Sequence, residues 1–499
     1  MRQLSPHEAS FLYAESVHAN SNVTFVQIYD QRTAPGGTVR FKSILAHIDS
    51  RLHRSPVFRN RLLRVPFELD YPYWVEDEHF DLEYHVRHIA LPKPGDWRQF
   101  CIQASRIHAR ALDLHRPLWE IYVIEGLDSI TDLPAGSFAL LTKIHHAAID
   151  VERRNELIEV LHDGTRRPSR AAPPEPWFPQ RAPGAVALAC RGIVNRALSP
   201  LTWIDPLVRR MPEAVAFAGD LLRPPQHSTA TRFNAVVSPH RVFDTRRFML
   251  DELHDIRSLV EEATVNDAVL AVCAGGLRSY LSMHGELPAA GVSALAPLSI
   301  RSADAVDAGA EAPALRVDLG THLADPVQRL RWIHRQTSSP QTRGATLHVP
   351  VLPAPQHGEP LACCTVTNVA APARPLYLNG ARMTYFSAIM PIADGMGLVF
   401  AVTSYDGRIV VSPTSCRELM PDPLVFTQCV RDSFQELLAL ARRGRPAAKV
   451  GKGARTATRA RQRASATGRR SLSRPTARTV ATGPRAGRGG RQRSTAPRR

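Results

Sequence analysis

The sequence lacks the features of a membrane-spanning, exported or zinc-binding protein. Its 499 residues contain no uninterrupted run of 18 apolar residues, and the first ten, MRQLSPHEAS, contain no apolar signal core. The seven cysteines are scattered and show no Cys-x-x-Cys spacing. We therefore expect a cytoplasmic chain that does not cross a membrane and whose cysteines are buried free thiols.

Acidic residues are absent from the last part of the chain. Residues 442–499 contain 19 of the 63 Lys and Arg residues and none of the 46 Asp and Glu residues, so the formal net charge of +17 comes from this tail. The tail has almost no large apolar side chain and is predicted to be disordered. Three interpretations remain open: binding to an anionic membrane or lipid-inclusion surface, nonspecific binding to nucleic acid, and a neutral, solvated extension.

The rest of the chain has a globular composition, with 44% hydrophobic and 22% charged residues. Its length is sufficient for two domains or one bilobed unit. Pro and Arg are concentrated at 166–183, where they prevent regular structure. We predict a first lobe at 1–165, a Pro-rich crossover with helices at 166–230, a second lobe at 231–441 and the basic tail at 442–499.

Hydrophobic periodicity predicts the main elements. At the start of one helix, Thr264 is expected to be the N-cap, with Asp267 completing a capping box. Asp406 and Gly407 predict a two-residue hairpin turn. The predicted strands include 23–29, 74–84, 114–127, 137–144, 236–243, 293–300, 362–369, 398–405 and 408–412. The predicted helices include 41–52, 97–112, 152–161, 248–260, 264–281, 325–336 and 426–441.

The most informative segment places two histidines at the end of an apolar strand. His145 and His146 follow the strand at 137–144, and Asp150 precedes a predicted helix. A neutral imidazole at such a rigid position can take a proton from a hydroxyl group and return it to a leaving group. Adjacent histidines are also common at ordinary surface or core positions, and a zinc site would need ligands that this segment does not offer. The segment alone therefore leaves both interpretations open.

Several motifs occur in a characteristic order along the chain. They are LSPHEASFL (4–12), PLWE (117–120), HHAAID (145–150), TVNDAVLA (264–271), APLSIR (296–301), TVTNVAAP (365–372) and TSYDGRIVV (403–411). This ordered set resembles the bacterial bifunctional wax ester synthase/acyl-CoA:diacylglycerol acyltransferases, and among them the actinobacterial triacylglycerol synthases.

The resemblance implies a two-lobed α+β fold of the chloramphenicol-acetyltransferase type, a CoA-dependent acyltransferase fold with a tunnel between the lobes. The implied reaction moves a long-chain acyl group from acyl-CoA, a co-substrate, to diacylglycerol, and also to fatty alcohols. No other cofactor and no metal are expected. The enzyme would be cytoplasmic and peripherally associated with the inner membrane or lipid inclusions.

The resemblance also assigns roles to four residues. His146 would be the general base, so that the acceptor oxygen attacks the thioester without an acyl-enzyme. His145 would support the loop and Asp150 would hold it structurally. Asn266 would bind the oxyanion or shape the site around it. The expected partner of Asp150 is an arginine, and the candidates are Arg59, Arg61 and Arg301.

Two departures from the family pattern favour an alternative. Val151 stands where the family usually has glycine, and the usual Asn-Val-Pro-Gly-Pro turn is replaced by NVAAP at 368–372. A β-branched residue is costly if that position needs a positive φ. The alternative is a catalytically weakened paralogue that binds lipid or coats lipid inclusions.

Overall fold

Two β-sheets form the framework of the protein in a computed structural model. The described residues are 1–149, 156–167, 177–198, 229–297, 313–339, 347–348, 361–369, 371–372 and 374–444. Only the first three residues of the predicted tail fall among them. No helix in these ranges is both long and apolar enough to cross a membrane.

Strands and helices are mixed along the chain. The strands are β1 (Arg2–Gln3), β2 (Asn22–Asp30), β3 (Asn60–Leu63), β4 (Tyr73–Glu76), β5 (Val86–Ala90), β6 (Trp119–Glu125), β7 (Phe138–His145), β8 (Arg241–Phe243), β9 (Arg246–Met249), β10 (Ser293–Pro297), β11 (Pro313–Asp318), β12 (Leu347–His348), β13 (Cys364–Val369), β14 (Tyr377–Leu378), β15 (Ala381–Ile389), β16 (Val399–Tyr405) and β17 (Arg408–Cys416). The helices are α1 (Pro6–Tyr13), α2 (Phe41–Asp49), α3 (Leu82–His85), α4 (Trp97–Ala109), α5 (Glu156–Val160), α6 (Ala185–Leu198), α7 (Leu250–Arg257), α8 (Val265–Met283), α9 (Pro326–Ser338) and α10 (Pro423–Gly444).

The first sheet has six strands in the order β14-β15-β2-β7-β6-β5. Its central strands β2 and β7 are buried along their whole length, as expected of strands covered on both faces. The sequence assigned all of 231–441 to a second lobe, and the structure corrects this for β14 and β15. These two strands extend the first sheet, because β15 pairs antiparallel with β2.

The second sheet follows the order β12-β11-β10-β13-β16-β17-β8, with β9 also pairing with β17. The predicted hairpin between β16 and β17 is confirmed. Asp406 (φ 52°) and Gly407 (φ 73°) both have positive φ, the conformation of a type I′ turn. A small third sheet, β1-β4-β3, lies apart from both.

The predicted start of α8 is also confirmed. The Thr264 side chain accepts a hydrogen bond from the Asp267 amide, and Asp267 returns one to the Thr264 amide. Glycine then allows a second helix to approach closely, since a Cβ on Gly276 would lie 2.8 Å from the Cα of Val430 on α10. The closing helix continues to Gly444, three residues beyond the predicted end of the second lobe at 441.

Other elements differ from the sequence predictions. The strand predicted at 74–84 contains most of β4 and most of α3, and β5 follows it where no strand was predicted. Residues alternate between more and less exposed along β5, which pairs only with β6 at the edge of the first sheet. Such an edge strand lacks the continuous apolar run that marks a buried one. Likewise, β15 mixes Arg, Thr and Ser with apolar residues and was not predicted.

A buried carboxylate fixes α4 to the second sheet and to α10. Asp244 is 3% exposed and lies between β8 and β9. It accepts hydrogen bonds from Trp97 Nε1 at 2.7 Å, Thr427 Oγ1 at 2.6 Å and Arg246 at 3.2 Å. Burying an ionised carboxylate is costly unless its oxygens are well paired, and here the donors come from three separate elements.

We predict that Asp244→Ala lowers the free energy of unfolding by about 3–5 kcal/mol, because the half-buried Arg246 loses its counter-charge and two further donors lose their acceptor. The matched control is Asp132→Ala, since Asp132 is 79% exposed and 3.6 Å from Arg247. Its effect should stay within about 0.5 kcal/mol. Urea unfolding followed by tryptophan fluorescence measures both, and equal stabilities of the two variants would contradict the role given to Asp244.

Candidate active site

Backbone hydrogen bonds from both neighbouring strands fix the end of β7. The His145 amide donates to the Leu118 carbonyl at 3.0 Å, and the His146 amide donates to the Ser21 carbonyl at 2.8 Å. The PLWE motif thus contacts the histidine motif directly through Leu118. Trp119 beside it is fully buried and donates from Nε1 to the Phe58 carbonyl at 3.0 Å, so it anchors this part of the lobe.

The ring of His145 is held in one tautomer. Its Nδ1 accepts a hydrogen bond from the Ala147 amide at 3.1 Å, so the proton resides on Nε2. Nε2 donates to Glu15 at 3.0 Å. The same Glu15 oxygen accepts the Ser21 amide at 2.7 Å. Because both ring nitrogens are used within the protein, the geometry is that of a supporting residue.

His146 lies against an aromatic ring rather than in solvent. Its side chain is 6% exposed. Its ring stacks on Phe11, with the centroids 4.1 Å apart and the planes 13° apart. Phe11 lies on α1, whose first turn is closed by a capping box between Ser5 and Glu8. The LSPHEASFL motif therefore builds the helix that covers the ring of His146.

Sequence reasoning missed Phe11, Glu15 and Ser21 as site residues. The only available signal was the position of Phe11 within the LSPHEASFL motif, because nothing in the spacing along the chain links residue 15 or 21 to residue 145. Asp150, Val151 and Arg301 lie outside the described residues. The predicted role of Asp150 and its arginine partner therefore remain predictions.

A buried cluster anchors the segment that follows the histidine motif. The Arg51 guanidinium pairs with Asp163 at 2.5 Å, and both side chains are buried. Two of the arginines named as candidate partners of Asp150 are among the described residues. Arg59 lies over the ring of Trp177 at 4.4 Å, and Arg61 is 3.7 Å from the carboxylate of Asp77.

His162 adds a second anchor for the same segment. Its Nδ1 donates to the Ile158 carbonyl at 2.5 Å, and its Nε2 accepts from the Tyr29 hydroxyl at 2.6 Å. Burial lowers the pKa of His162 to about 4, so the ring stays neutral near pH 7. It thereby joins the chain after α5 to the central strand β2.

A fully buried lysine lies on β7 just before the histidines. Lys143 Nζ donates to Glu120 at 3.1 Å and to the Arg110 carbonyl at 2.8 Å. Burial lowers its pKa, while the neighbouring Glu120 carboxylate opposes that shift. Since Arg110 directly follows α4 and Glu120 lies on β6, this ammonium group joins the end of α4 to two strands of the first sheet.

The two residues of the Asn-Asp pair at the start of α8 lie in different environments. Asp267 is 1% exposed and accepts hydrogen bonds from Thr337 at 2.7 Å and His334 at 3.0 Å, which ties α8 to α9. Asn266 is half-buried, and its Oδ1 accepts from the Asn368 side chain at 3.4 Å. The side chain of Asn266 therefore contacts Asn368, and the role of Asn266 in binding the oxyanion remains a prediction.

A cavity of about 1670 Å³ lies between α4 and α10, with Asp244 in its wall. His145, His146 and Asn266 do not line it. The described residues contain no group of three or more His, Cys, Asp and Glu side chains placed to hold a metal ion. All seven cysteines are free, and six of them are buried while Cys190 is exposed.

Two family models match the chain. The wax ester synthase/diacylglycerol acyltransferase catalytic domain matches residues 4–269, and the C-terminal domain of the same family matches residues 309–438. An O-acyltransferase from Acinetobacter baylyi is 31% identical over 75% of this chain and 84% of its own length. A Mycobacterium tuberculosis protein, provisionally named as a diacylglycerol O-acyltransferase, is 29% identical over 88% of this chain and 90% of its own length.

Solved structures with the same fold include a wax ester synthase/diacylglycerol acyltransferase from Marinobacter aquaeolei. It matches with a TM-score of 0.63 and 24% identity, over 88% of this chain and 99% of that one. The first condensation domain of the calcium-dependent antibiotic synthetase matches with a TM-score of 0.55 and 15% identity, over 90% and 99% of the two chains. The predicted two-lobed, chloramphenicol-acetyltransferase-like fold is confirmed.

We predict that Glu15→Ala speeds amide exchange at 145–149 by about tenfold, because the buried His145 Nε2–H and the Ser21 amide lose their acceptor. Glu15→Gln is the matched control, since its amide oxygen can still accept both hydrogen bonds. Hydrogen–deuterium exchange with mass spectrometry of peptides from this segment measures the effect. Unchanged exchange in Glu15→Ala would show that Glu15 does not hold the histidine motif.

Proposed function

The chain belongs to the wax ester synthase/diacylglycerol acyltransferase family, and from this premise we propose that it transfers a long-chain acyl group from acyl-CoA to diacylglycerol, forming triacylglycerol. Fatty alcohols are a second acceptor class, giving wax esters. The observation that carries the proposal is the fixed end of β7. There His145 is locked in one tautomer while His146 stacks on Phe11.

In the proposed reaction His146 takes the proton from the acceptor hydroxyl as its oxygen attacks the thioester carbonyl carbon. The tetrahedral intermediate then collapses, the carbon–sulfur bond breaks, and the imidazolium returns the proton to the CoA thiolate. No acyl-enzyme forms, because a thioester is already activated and positioned deprotonation suffices. His145 holds the loop in position and does not itself transfer a proton. Asn266, which contacts Asn368, is the candidate hydrogen-bond donor to the oxyanion.

A second candidate is a weakened paralogue that binds lipid or coats lipid inclusions without much turnover. The observation favouring it is the sequence itself, with Val151 in place of the usual glycine and Ala370 and Ala371 in place of Pro-Gly. These substitutions leave His146 and Asn266 in place, and for that reason the enzyme is the preferred function.

We expect purified protein to form labelled triacylglycerol from radiolabelled oleoyl-CoA and dioleoylglycerol, and His146→Ala to reduce the rate by about 10²–10⁴-fold through loss of general-base catalysis. The matched control is His240→Ala, because this side chain is 66% exposed and pairs only with Glu418 in the described part of the chain. Wild-type turnover that survives in His146→Ala would exclude this mechanism. A wild-type protein without turnover would favour the lipid-binding role.

The basic tail is proposed to attach the enzyme to anionic lipid, since its proposed acceptor resides in membranes. The positive charges of 442–499 would each be worth about 1 kcal/mol near an anionic surface. Arg442 already forms an ion pair with Glu252 at 3.0 Å, so its charge is already paired within the fold.

We predict that full-length protein binds phosphatidylglycerol-containing vesicles at least about tenfold more tightly than a 1–444 variant, and that the difference shrinks as salt increases. Pure phosphatidylcholine vesicles serve as the neutral control, and a DNA duplex tests the nucleic-acid interpretation. Equal vesicle binding by the two proteins would contradict the proposal. If the tail strengthens binding to DNA but not to vesicles, the tail is a nucleic-acid-binding segment instead.

A further inference from the structure

The cavity between α4 and α10 is rich in arginine. Eight arginines and five acidic residues line it. All five acidic side chains already have partners. Asp96 caps α4, Asp132 and Asp244 lie beside arginines, Glu252 pairs with Arg442, and Asp422 accepts from the Tyr280 hydroxyl at 2.5 Å. Three of the five carboxylates are thus paired with arginines, and the eight arginines of the lining outnumber all five carboxylates.

Four of the arginines have no acidic partner among the described residues. They are Arg98, Arg106, Arg417 and Arg431, and all four are exposed. The buried Arg241 differs from them, because it donates to the backbone carbonyls of Ser238 and His18. A concave site with several unneutralised guanidinium groups is the arrangement that binds phosphate.

Three of these four arginines lie on two helices that line the cavity. Arg98, Ile102 and Arg106 are spaced by four residues and share one face of α4. Arg431 lies on α10 across the cavity. Exposed apolar side chains accompany them, with Ile102 38% and Leu424 55% exposed. The cavity thus offers cationic groups from two helices with exposed apolar side chains beside them, which suits a ligand that carries both phosphate and apolar parts.

The same helix leads to the histidines. Its first residue, Trp97, is fixed at the cavity by Asp244. At its other end the Arg110 carbonyl accepts from Asn22 Nδ2 at 3.1 Å, and Asn22 lies opposite His145 in the first sheet. The 13 residues of α4 span roughly 20 Å. An extended pantetheine chain has the length of about five residues, or roughly 17 Å.

We propose that this cavity binds the phosphate groups of acyl-CoA through Arg98, Arg106 and Arg431, and that the pantetheine arm follows α4 to the histidine site. This inference rests on the proposed acyltransferase function, for which it names the site of the CoA phosphates. A phospholipid headgroup offers the same phosphate chemistry, so the experiment must separate the two sources.

The kinetic test compares oleoyl-CoA with oleoyl-pantetheine, which lacks the phosphates. In the double variant Arg98→Ala/Arg106→Ala, KM for oleoyl-CoA should rise about tenfold or more while kcat changes little. The preference for oleoyl-CoA over oleoyl-pantetheine should fall by the same factor. The matched control is Arg331→Ala/Arg335→Ala, two exposed arginines of α9 that do not line the cavity. An unchanged KM, or an equal loss with both substrates, would overturn the proposal.

Calorimetric titration with CoA gives a readout that does not need turnover. Wild-type protein should bind CoA at least about tenfold more tightly than the Arg98→Ala/Arg106→Ala variant. If wild-type protein shows this binding but no turnover, the proposed function fails and the phosphate site stands. If the variant keeps CoA binding but loses binding to phosphatidic acid vesicles, the ligand is a lipid headgroup and the proposal is wrong.

Discussion

The site depends on the pairing of β7 between β2 and β6. The strand is buried along its whole length, so its polar backbone must be satisfied by its neighbours. This pairing continues into the histidine motif, where Leu118 accepts the His145 amide and Ser21 accepts the His146 amide. The sheet fixes the backbone of the two histidines. Side-chain packing and hydrogen bonds then need to fix only the rotamers of the imidazole rings.

Buried charges connect this sheet to its surroundings. Lys143 and Glu120 pair between β7 and β6, Arg51 pairs with Asp163 in the segment after α5, and Asp244 binds the first residue of α4. Such groups are expensive to bury and contribute little net stability compared with apolar packing. Each of them joins elements that are distant in the sequence, which specifies how α4, α5 and the strands meet. The charges thus define the geometry around the site more than they add to its stability.

The sequence allowed much of the fold to be predicted where the signal is local. The capping box of Thr264, the Asp406 turn and the strand before His145 all depend on residues within a few positions of each other. The roles of Glu15 and Arg51 could not be predicted, because each partner lies more than 100 residues away and no periodicity relates them. The strand β15 was not predicted, although it is one of the longest strands, because its sequence lacks a continuous apolar run.

The placement of β15 has a consequence for how the site is assembled. Residues 381–389 pair with β2, and Ile389 lies opposite Thr24, two residues from the Asn22 that faces His145. After β15 the chain reaches Asp394, which accepts a hydrogen bond from His18 Nε2 at 3.1 Å. The first 165 residues therefore leave β2 with an unpaired edge beside the histidines. Because the missing strand comes from the second half, the first half alone cannot complete the sheet that holds His146, and the two halves have to fold together.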